Sequence, residues 1–200
     1  IVDRLVGSEM CIRDSYNFVW NKKEIYTINL KSQTDFEQLK KLQPFFGQIQ
    51  TKGGKNNTTN FPINRKVNPN EVKVPLDYPN NKIFRDVIAQ HYDAIRKDDD
   101  LIGDILKALK QSGLDENTIV VYFSDHGANN LLRHKQMTTE GGLRVPFVMM
   151  GPKQYVPKGA VRTDLVNMLD LTATTLAWAG LEQPPWYEGC LLYTSPSPRD

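Results

Sequence analysis

Between Asn17 and Leu30 apolar and polar residues alternate in places (Phe18, Trp20, Ile25, Ile28, Leu30), the pattern of short strands or an edge hairpin. Thr34 or Asp35 is placed to cap a short helix running to Leu42, with Phe36, Leu39 and Leu42 at helical spacing and Pro44 to stop it. Phe45 to Ile49 then reads as a buried strand. From Thr51 to Pro79 the chain is rich in Asn, Gly, Lys and Pro without periodicity, which predicts a long loop, and long loops in compact domains are often functional. Asn81 to Ser112 has a helical pattern, as one helix or two. Leu101, Ile102, Ile105, Leu106 and Leu109 share a face there, and Gly113 is a natural C-cap. Thr118 to Phe123 (TIVVYF) is β-branched and aromatic, which predicts a strand buried on both faces. Val145 to Met150 predicts another buried strand, closed by Gly151-Pro152. Thr163 or Asp164 is placed to cap a last helix from Leu165 to Ala179, ending at Gly180. Helices alternating with buried strands predict an α/β fold.

Composition narrows the class. Two hundred residues suit one domain, and the hydrophobic fraction of 40% and charged fraction of 24% are ordinary for a folded chain. The formal net charge is +2, with acids and bases mixed, so no basic stripe points to nucleic acid. No run approaches the roughly eighteen apolar residues of a membrane span. Residues 1–15 carry charges at Asp3, Arg4, Glu9, Arg13 and Asp14 and lack the apolar run of a signal peptide. There is no internal repeat.

Both ends are unusual. Val6 to Ser15 (VGSEMCIRDS) and Cys190 to Asp200 (CLLYTSPSPRD) resemble translated sequencing-adapter read-through. The expected organisation is therefore a natural segment over 16–189, with 1–15 and 190–200 as adapter-derived sequence that shows no packed core. Cys11 and Cys190 both fall in these strings, so no disulfide or redox argument attaches to the remainder.

Candidate chemistry begins where TIVVYF ends. Ligands of α/β sheets sit beyond the carboxyl ends of strands, and Asp125 and His126 occupy that position. A carboxylate beside an imidazole suits a shared metal ion, and Gly127 allows a sharp turn away. By itself the triplet is more often the pattern of a turn with a capping Asp.

The continuation decides the reading. FSDHG followed by LLRHKQMTTEGGLRVPFVMMGP resembles the sulfatase family, at Ser124, Asp125, His126, Gly127, Lys135, Glu140, Gly141, Gly142, Arg144 and Pro146. NPNEVKVPLDYPN, the D-x-x-I-G at Asp99 to Gly103, and DLVNMLDLTATTLAWAGLEQP also look like the family, in its order. The resemblance implies an alkaline-phosphatase-like fold, a mixed sheet flanked by helices, of which this chain holds the C-terminal part. It implies sulfate ester hydrolysis by a formylglycine, made from Cys or Ser in a C/S-x-P-x-R motif, with a divalent cation, usually calcium. The implied substrate is a sulfated small molecule or polysaccharide, and the implied setting is secreted, periplasmic or lysosomal.

Carried over by position, the resemblance makes Asp125 and His126 a metal-ligand pair and Lys135 the catalytic, sulfate-binding lysine. Lys55, within TKGGKNN, stands where relatives have a sulfate-contacting His after PFF, though a surface lysine fits equally. His134 lies beside Lys135, within reach of substrate. Glu140 and Arg144 become charges that position the Lys135 loop, or a surface ion pair. Asp99 matches a family position, and the acidic run Asp98 to Asp100 is expected at a helix start. His126 suits softer metals than calcium, and phosphodiesterases and phosphonate hydrolases of the superfamily also use Asp-His-Gly. No C/S-x-P-x-R motif and no double Asp before Pro44 occur, so the nucleophile and first acidic pair are expected upstream of this chain. The other readings are a phosphodiester- or phosphonate-cleaving relative and a non-catalytic anion- or carbohydrate-binding domain. Asn56 and Asn57 are formal glycosylation sequons.

Overall fold

The helical pattern from Asn81 to Ser112 becomes one helix, and the rest of the site is arranged around it. The computed structural model describes residues 5–8, 28–30, 32 and 34–193. In chain order the elements are β1 (Leu5–Ser8), β2 (Ile28–Leu30), β3 (Phe46–Gln48), α1 (Lys82–Gln111), β4 (Val120–Phe123), α2 (Glu140–Leu143), β5 (Phe147–Met150) and α3 (Met168–Trp178). Short 3-10 turns lie at Glu37–Lys41, Gly53–Lys55, Ile63–Arg65 and Asp115–Asn117.

Both long helices have sequence-encoded ends. The side chain of Asn81 accepts the Phe84 N–H at the start of α1. At its end, Gly113 (φ 71°) donates to the Lys110 carbonyl and Leu114 to that of Leu109. That paired closure is a Schellman motif, and its hydrophobic contact is Leu114 with Leu109, both in one core cluster. In α3, Asn167 and Asp170 form a reciprocal capping box, so the helix starts later than a Thr163 or Asp164 cap predicts. Gly180 (φ 69°) closes it with the same pair of bonds.

The strands form two sheets among the described residues. One is parallel, in the order β2-β1-β3, and the other pairs β4 with β5 antiparallel, Val120 opposite Met150 and Phe123 opposite Phe147. The expected strand over Val145 to Met150 is present, but its burial alternates, with Val148 and Met150 exposed. β4 is likewise only half-buried rather than covered on both faces, because β5 is its one neighbour among the described residues. The expected strand over Phe45 to Ile49 forms as β3, with exposed residues. Of the stretch from Asn17 to Leu30 only the strand at its end lies within the described residues. The helix expected before Leu42 is a 3-10 turn that buries Phe36 and Leu39.

Two core clusters fix α1 at both ends. Near its C-terminus Phe36, Leu39, Leu109 and Leu114 pack with Ile49 and Val120, so β3 and β4 are held to the same point. Near its N-terminus Val72, Tyr78, Ile88 and Ala89 pack with Phe84 and Leu131, which ties in the segment following the strand-end turn. The terminal strings also make contacts. Leu5–Ser8 is the middle strand of the parallel sheet. On α3, Cys190 donates its N–H to Asp170 and Leu192 to Thr174, both at 2.9 Å, and the Tyr193 ring stacks on Trp178.

Candidate functional site

β4 delivers Ser124, Asp125 and His126 to its carboxyl end. The Ser124 hydroxyl donates to the His126 carbonyl at 2.7 Å and holds the turn. His126 Nδ1 lies 2.7 Å from the Gly127 carbonyl. A carbonyl only accepts, so Nδ1 carries the proton and the lone pair of the neutral ring is on Nε2. That nitrogen stands 3.7 Å from Asp125 Oδ2. Two donors about 2.4 Å from one ion, roughly 100° apart, are separated by about that distance. The Asp125 side chain is 76% exposed and that of His126 23%, so the carboxylate is open to solvent while the imidazole is held. The pair therefore fits two positions of a cation site, with the backbone bond that commonly orients a ligating imidazole already made. Among the described residues no cluster of three or more His, Cys, Asp or Glu surrounds a common point.

The turn that follows is packed backbone against backbone. A Cβ on Gly127 would lie 1.8 Å from the Gly141 carbonyl oxygen, and one on Gly142 would lie 2.0 Å from that of Met137. The Gly-Gly of the E-G-G-x-R-x-P segment is thus a packing requirement: α2 and the 134–137 segment sit directly on the strand-end turn. His134 is part of this joint. A Cβ on Gly141 would be 2.7 Å from its Nε2, its Nδ1 is 2.6 Å from the Leu132 carbonyl, and Tyr78 meets its ring edge-on. Tyr78 donates to the same carbonyl at 2.5 Å. Burial, with the charge of Asp77 second, pushes the Tyr78 phenol up and keeps it a donor. His134 is accordingly committed to packing on one face.

Lys135 is flanked by two residues in the left-handed region, Arg133 (φ 58°) and Gln136 (φ 59°). Such backbone costs about 1–3 kcal/mol per residue and persists where surroundings enforce it. Here Thr139 does so, donating its hydroxyl to the Arg133 carbonyl. Lys135 is half-buried, and no ion pair or hydrogen bond of its ammonium occurs among the described residues. Glu140 begins α2 and Arg144 ends it, both exposed, and the ion pair offered as their alternative role is not formed.

Lys55 is exposed at the end of the Gly53–Lys55 turn. That turn rests on α1 through a residue sequence reasoning passed over. Asp98 is 1% exposed and lies in the body of α1, not at a helix start. Its carboxylate accepts from the Thr51 hydroxyl at 2.8 Å, the Gly53 N–H at 3.0 Å and the Asn56 amide at 3.0 Å. Its neighbours differ: Asp99 is exposed, and Asp100 forms a two-pronged ion pair with Arg65 at 2.8 and 2.9 Å. Asn56 also donates to the Gly53 and Ala94 carbonyls, so its amide is fully used, whereas Asn57 is exposed. His91, one helical face along from Asp98, packs so tightly on Gly54 that a Cβ there would meet the ring at 2.6 Å. Burial, then the charge of His134, holds the His91 imidazole below its ordinary range, and its Nδ1 is buried without a partner. The signal available in the sequence was the spacing of His91, Ala94 and Asp98, one face of a helix that carries a charge.

The mixture of helices with small sheets is that of an incomplete alkaline-phosphatase-like α/β protein, the class to which the family match and the structural likeness below assign it. The chain belongs to the sulfatase family, whose model ("Sulfatase") matches residues 14–181. N-acetylgalactosamine-6-sulfatase of Mus musculus is 36% identical over 104 residues, 46% of this chain and 20% of that protein. Arylsulfatase K of Xenopus laevis is 35% identical over 105 residues, covering 50% and 19%. The ulvan-active sulfatase of Formosa agariphila is 33% identical over 110 residues, covering 52% and 22%. The matched part is about a fifth of these relatives' length. The crystal structure of Ps i-CgsB superposes with a TM-score of 0.51 at 25% identity, over 80% of this chain and 36% of that one.

Proposed function

We propose that this chain is part of a sulfatase that hydrolyses sulfate esters of a carbohydrate, with its nucleophile outside these residues. The observation that carries the reading is the Asp125–His126 pair, with Nε2 of His126 free and 3.7 Å from the carboxylate. When bound there, a divalent cation, calcium by family resemblance, would supply positive charge to a sulfate oxygen and to the formylglycine that attacks sulfur. Asp125 and His126 hold that cation. Lys135 and Lys55 neutralise the non-bridging oxygens, over which charge spreads as the ester bond breaks. His134 orients the Lys135 segment and offers a contact to substrate, and Glu140 and Arg144 are charges that position the Lys135 loop. A carbohydrate ester is supported by the names of relatives that act on N-acetylgalactosamine-6-sulfate and on ulvan.

We place the natural segment at 16–189 and assign 1–15 and 190–200 to adapter sequence. Different codons in the source genome before Tyr16 and after Gly189 are the expected result, and recovery of both strings would refute that assignment. For the site, Asp125→Asn and His126→Ala in the complete enzyme should each lower metal affinity by about 10–100-fold. Metal content unchanged in both variants removes them as ligands. A lone Thr or Ser in place of a C/S-x-P-x-R motif upstream would instead identify a phosphodiesterase or phosphonate hydrolase.

A further inference from the structure

We propose that Asp98 is the positioning residue for Lys55, holding the 51–56 turn on α1 so that the lysine is presented at a fixed point. The inference rests on the reading of Lys55 as a sulfate contact and adds the device that makes an exposed, flexible side chain useful there.

The geometry is specific. Three donors from three successive parts of the turn, Thr51, Gly53 and Asn56, converge on one buried carboxylate. They bracket Lys55 on its N-terminal side and at the next residue. Within the turn, Lys55 donates its N–H to the Lys52 carbonyl at 2.9 Å and Asn56 to that of Gly53 at 3.1 Å, so the lysine backbone cannot move without breaking the set. On the C-terminal side Lys97, one residue before Asp98, donates to the Asn57 carbonyl at 2.9 Å. His91 closes the other flank, its ring filling the space above Gly54. Both contacts come from one rigid helix whose same face is set, on either side of them, in the two core clusters, so the turn takes its position from the fold and not from solvent-exposed loop contacts.

A buried carboxylate accepting neutral donors is costly unless its lone pairs are used. Here they are used entirely on one turn, and that turn carries a cation with no other partner among the described residues. A purely structural anchor would serve any sequence between Thr51 and Asn56. Holding a lysine there matters when its ammonium must meet an anion at a set point, since a misplacement of about 1 Å costs roughly 10²-fold in rate.

Two measurements test this. In the present chain, amide hydrogen exchange at Gly53 and Lys55 should accelerate at least about tenfold in Asp98→Ala, with helical circular dichroism retained. Should that variant not fold, Asn56→Ala, which removes part of the same set, should show the same local acceleration. In the complete enzyme, Asp98→Ala and Lys55→Ala should each lower kcat/KM by about 10²-fold, and the double variant no further, because both act through one group. Asp98→Asn keeps the acceptor for Gly53 and Asn56 and is expected to recover most of the loss. Unchanged exchange at Gly53 overturns the positioning role alone. An additive double variant, or an Asn variant as poor as the Ala variant, overturns it too, since Asp98 would then act by its charge or elsewhere. Normal turnover of Lys55→Ala instead defeats the reading of the lysine on which the inference stands.

Discussion

Adding one methyl group at Gly127 tests whether the strand-end turn is built by close approach of two backbones. The Cβ would stand 1.8 Å from the Gly141 oxygen and 2.9 Å from its carbonyl carbon. Ordinary contact begins near 3.4 Å, so the turn and α2 must part by about 1.6 Å. No side chain can rotate to relieve this, because the obstruction is main chain. The displacement also meets His134 Cβ at 3.1 Å. Overpacking costs about 1–3 kcal/mol where neighbours give, and Gly127→Ala should lie at the upper end, about 3 kcal/mol. At a urea slope of about 2 kcal/mol/M, the unfolding midpoint of this chain should fall by roughly 1.5 M. Gly103→Ala is the matched control. It lies on the exposed side of α1 with nothing within 4 Å of the added carbon, so it should stabilise by about 0.5–1 kcal/mol. A Gly127→Ala chain that unfolds at or above the midpoint of the unaltered chain would refute the packing argument.

Lys135→Ala in the complete enzyme should lower kcat by about 10²–10³-fold, and Lys135→Arg should not restore it fully, since a planar fork replaces a point charge; normal turnover in Lys135→Ala would remove the assignment. This chain alone should hydrolyse no aryl sulfate with calcium added, because no C/S-x-P-x-R nucleophile is present; metal-dependent turnover that survives repurification would show the attacking group lies within it. His91 is held neutral in the fold, below its ordinary value of 6.5. The unfolded chain takes up that proton first, so stability is fully present above that value and falls as pH drops through it towards the folded pKa. Thermal melts from pH 8 to 5 should show this loss, and His91→Gln should flatten it; an identical slope in the variant would assign the acid sensitivity to other groups.

What was legible in the sequence depended on how each residue is used. β4 was readable because a β-branched run has few other uses, β5 because a short apolar run is closed by Gly151-Pro152, and Gly113 and Gly180 marked helix ends because their positive φ is what C-caps require. The strand-end pair was readable because residue type and position coincide. Asp98 was not, since a charged residue inside a helix ordinarily faces water, and only the folded chain brings Thr51, Gly53 and Asn56 to it. The same blindness hid Asp93, which is 4% exposed and accepts the Val67 N–H at 2.9 Å. The glycines of the E-G-G segment were visible as a motif, but their reason is the close approach of the 134–137 segment, which only the folded backbone shows. The burial of β4 was overread because a run of apolar residues states what can be covered, not what covers it.

The long segment from Thr51 to Pro79 is gripped by α1 in an asymmetric way. Arg85 reaches the carbonyls of Pro69, Asn70 and Val72, Arg96 that of Arg65, and Lys97 that of Asn57. Every one of those acceptors is a peptide oxygen, which survives any change of side chain. Between Asn57 and Val72, therefore, the helix holds the path of the chain largely through its backbone, with the Arg65–Asp100 pair and the buried Val72 as the places where the side chain counts. Mutation can rewrite the outward-facing residues of that stretch while its course over the surface stays put. Near Asp98 the dependence reverses, because Thr51 and Asn56 supply side-chain donors that few other residues replace. One helix thus divides a single loop into a part free to diversify and a part that is not. New recognition surfaces would be expected to arise from the first without disturbing the second.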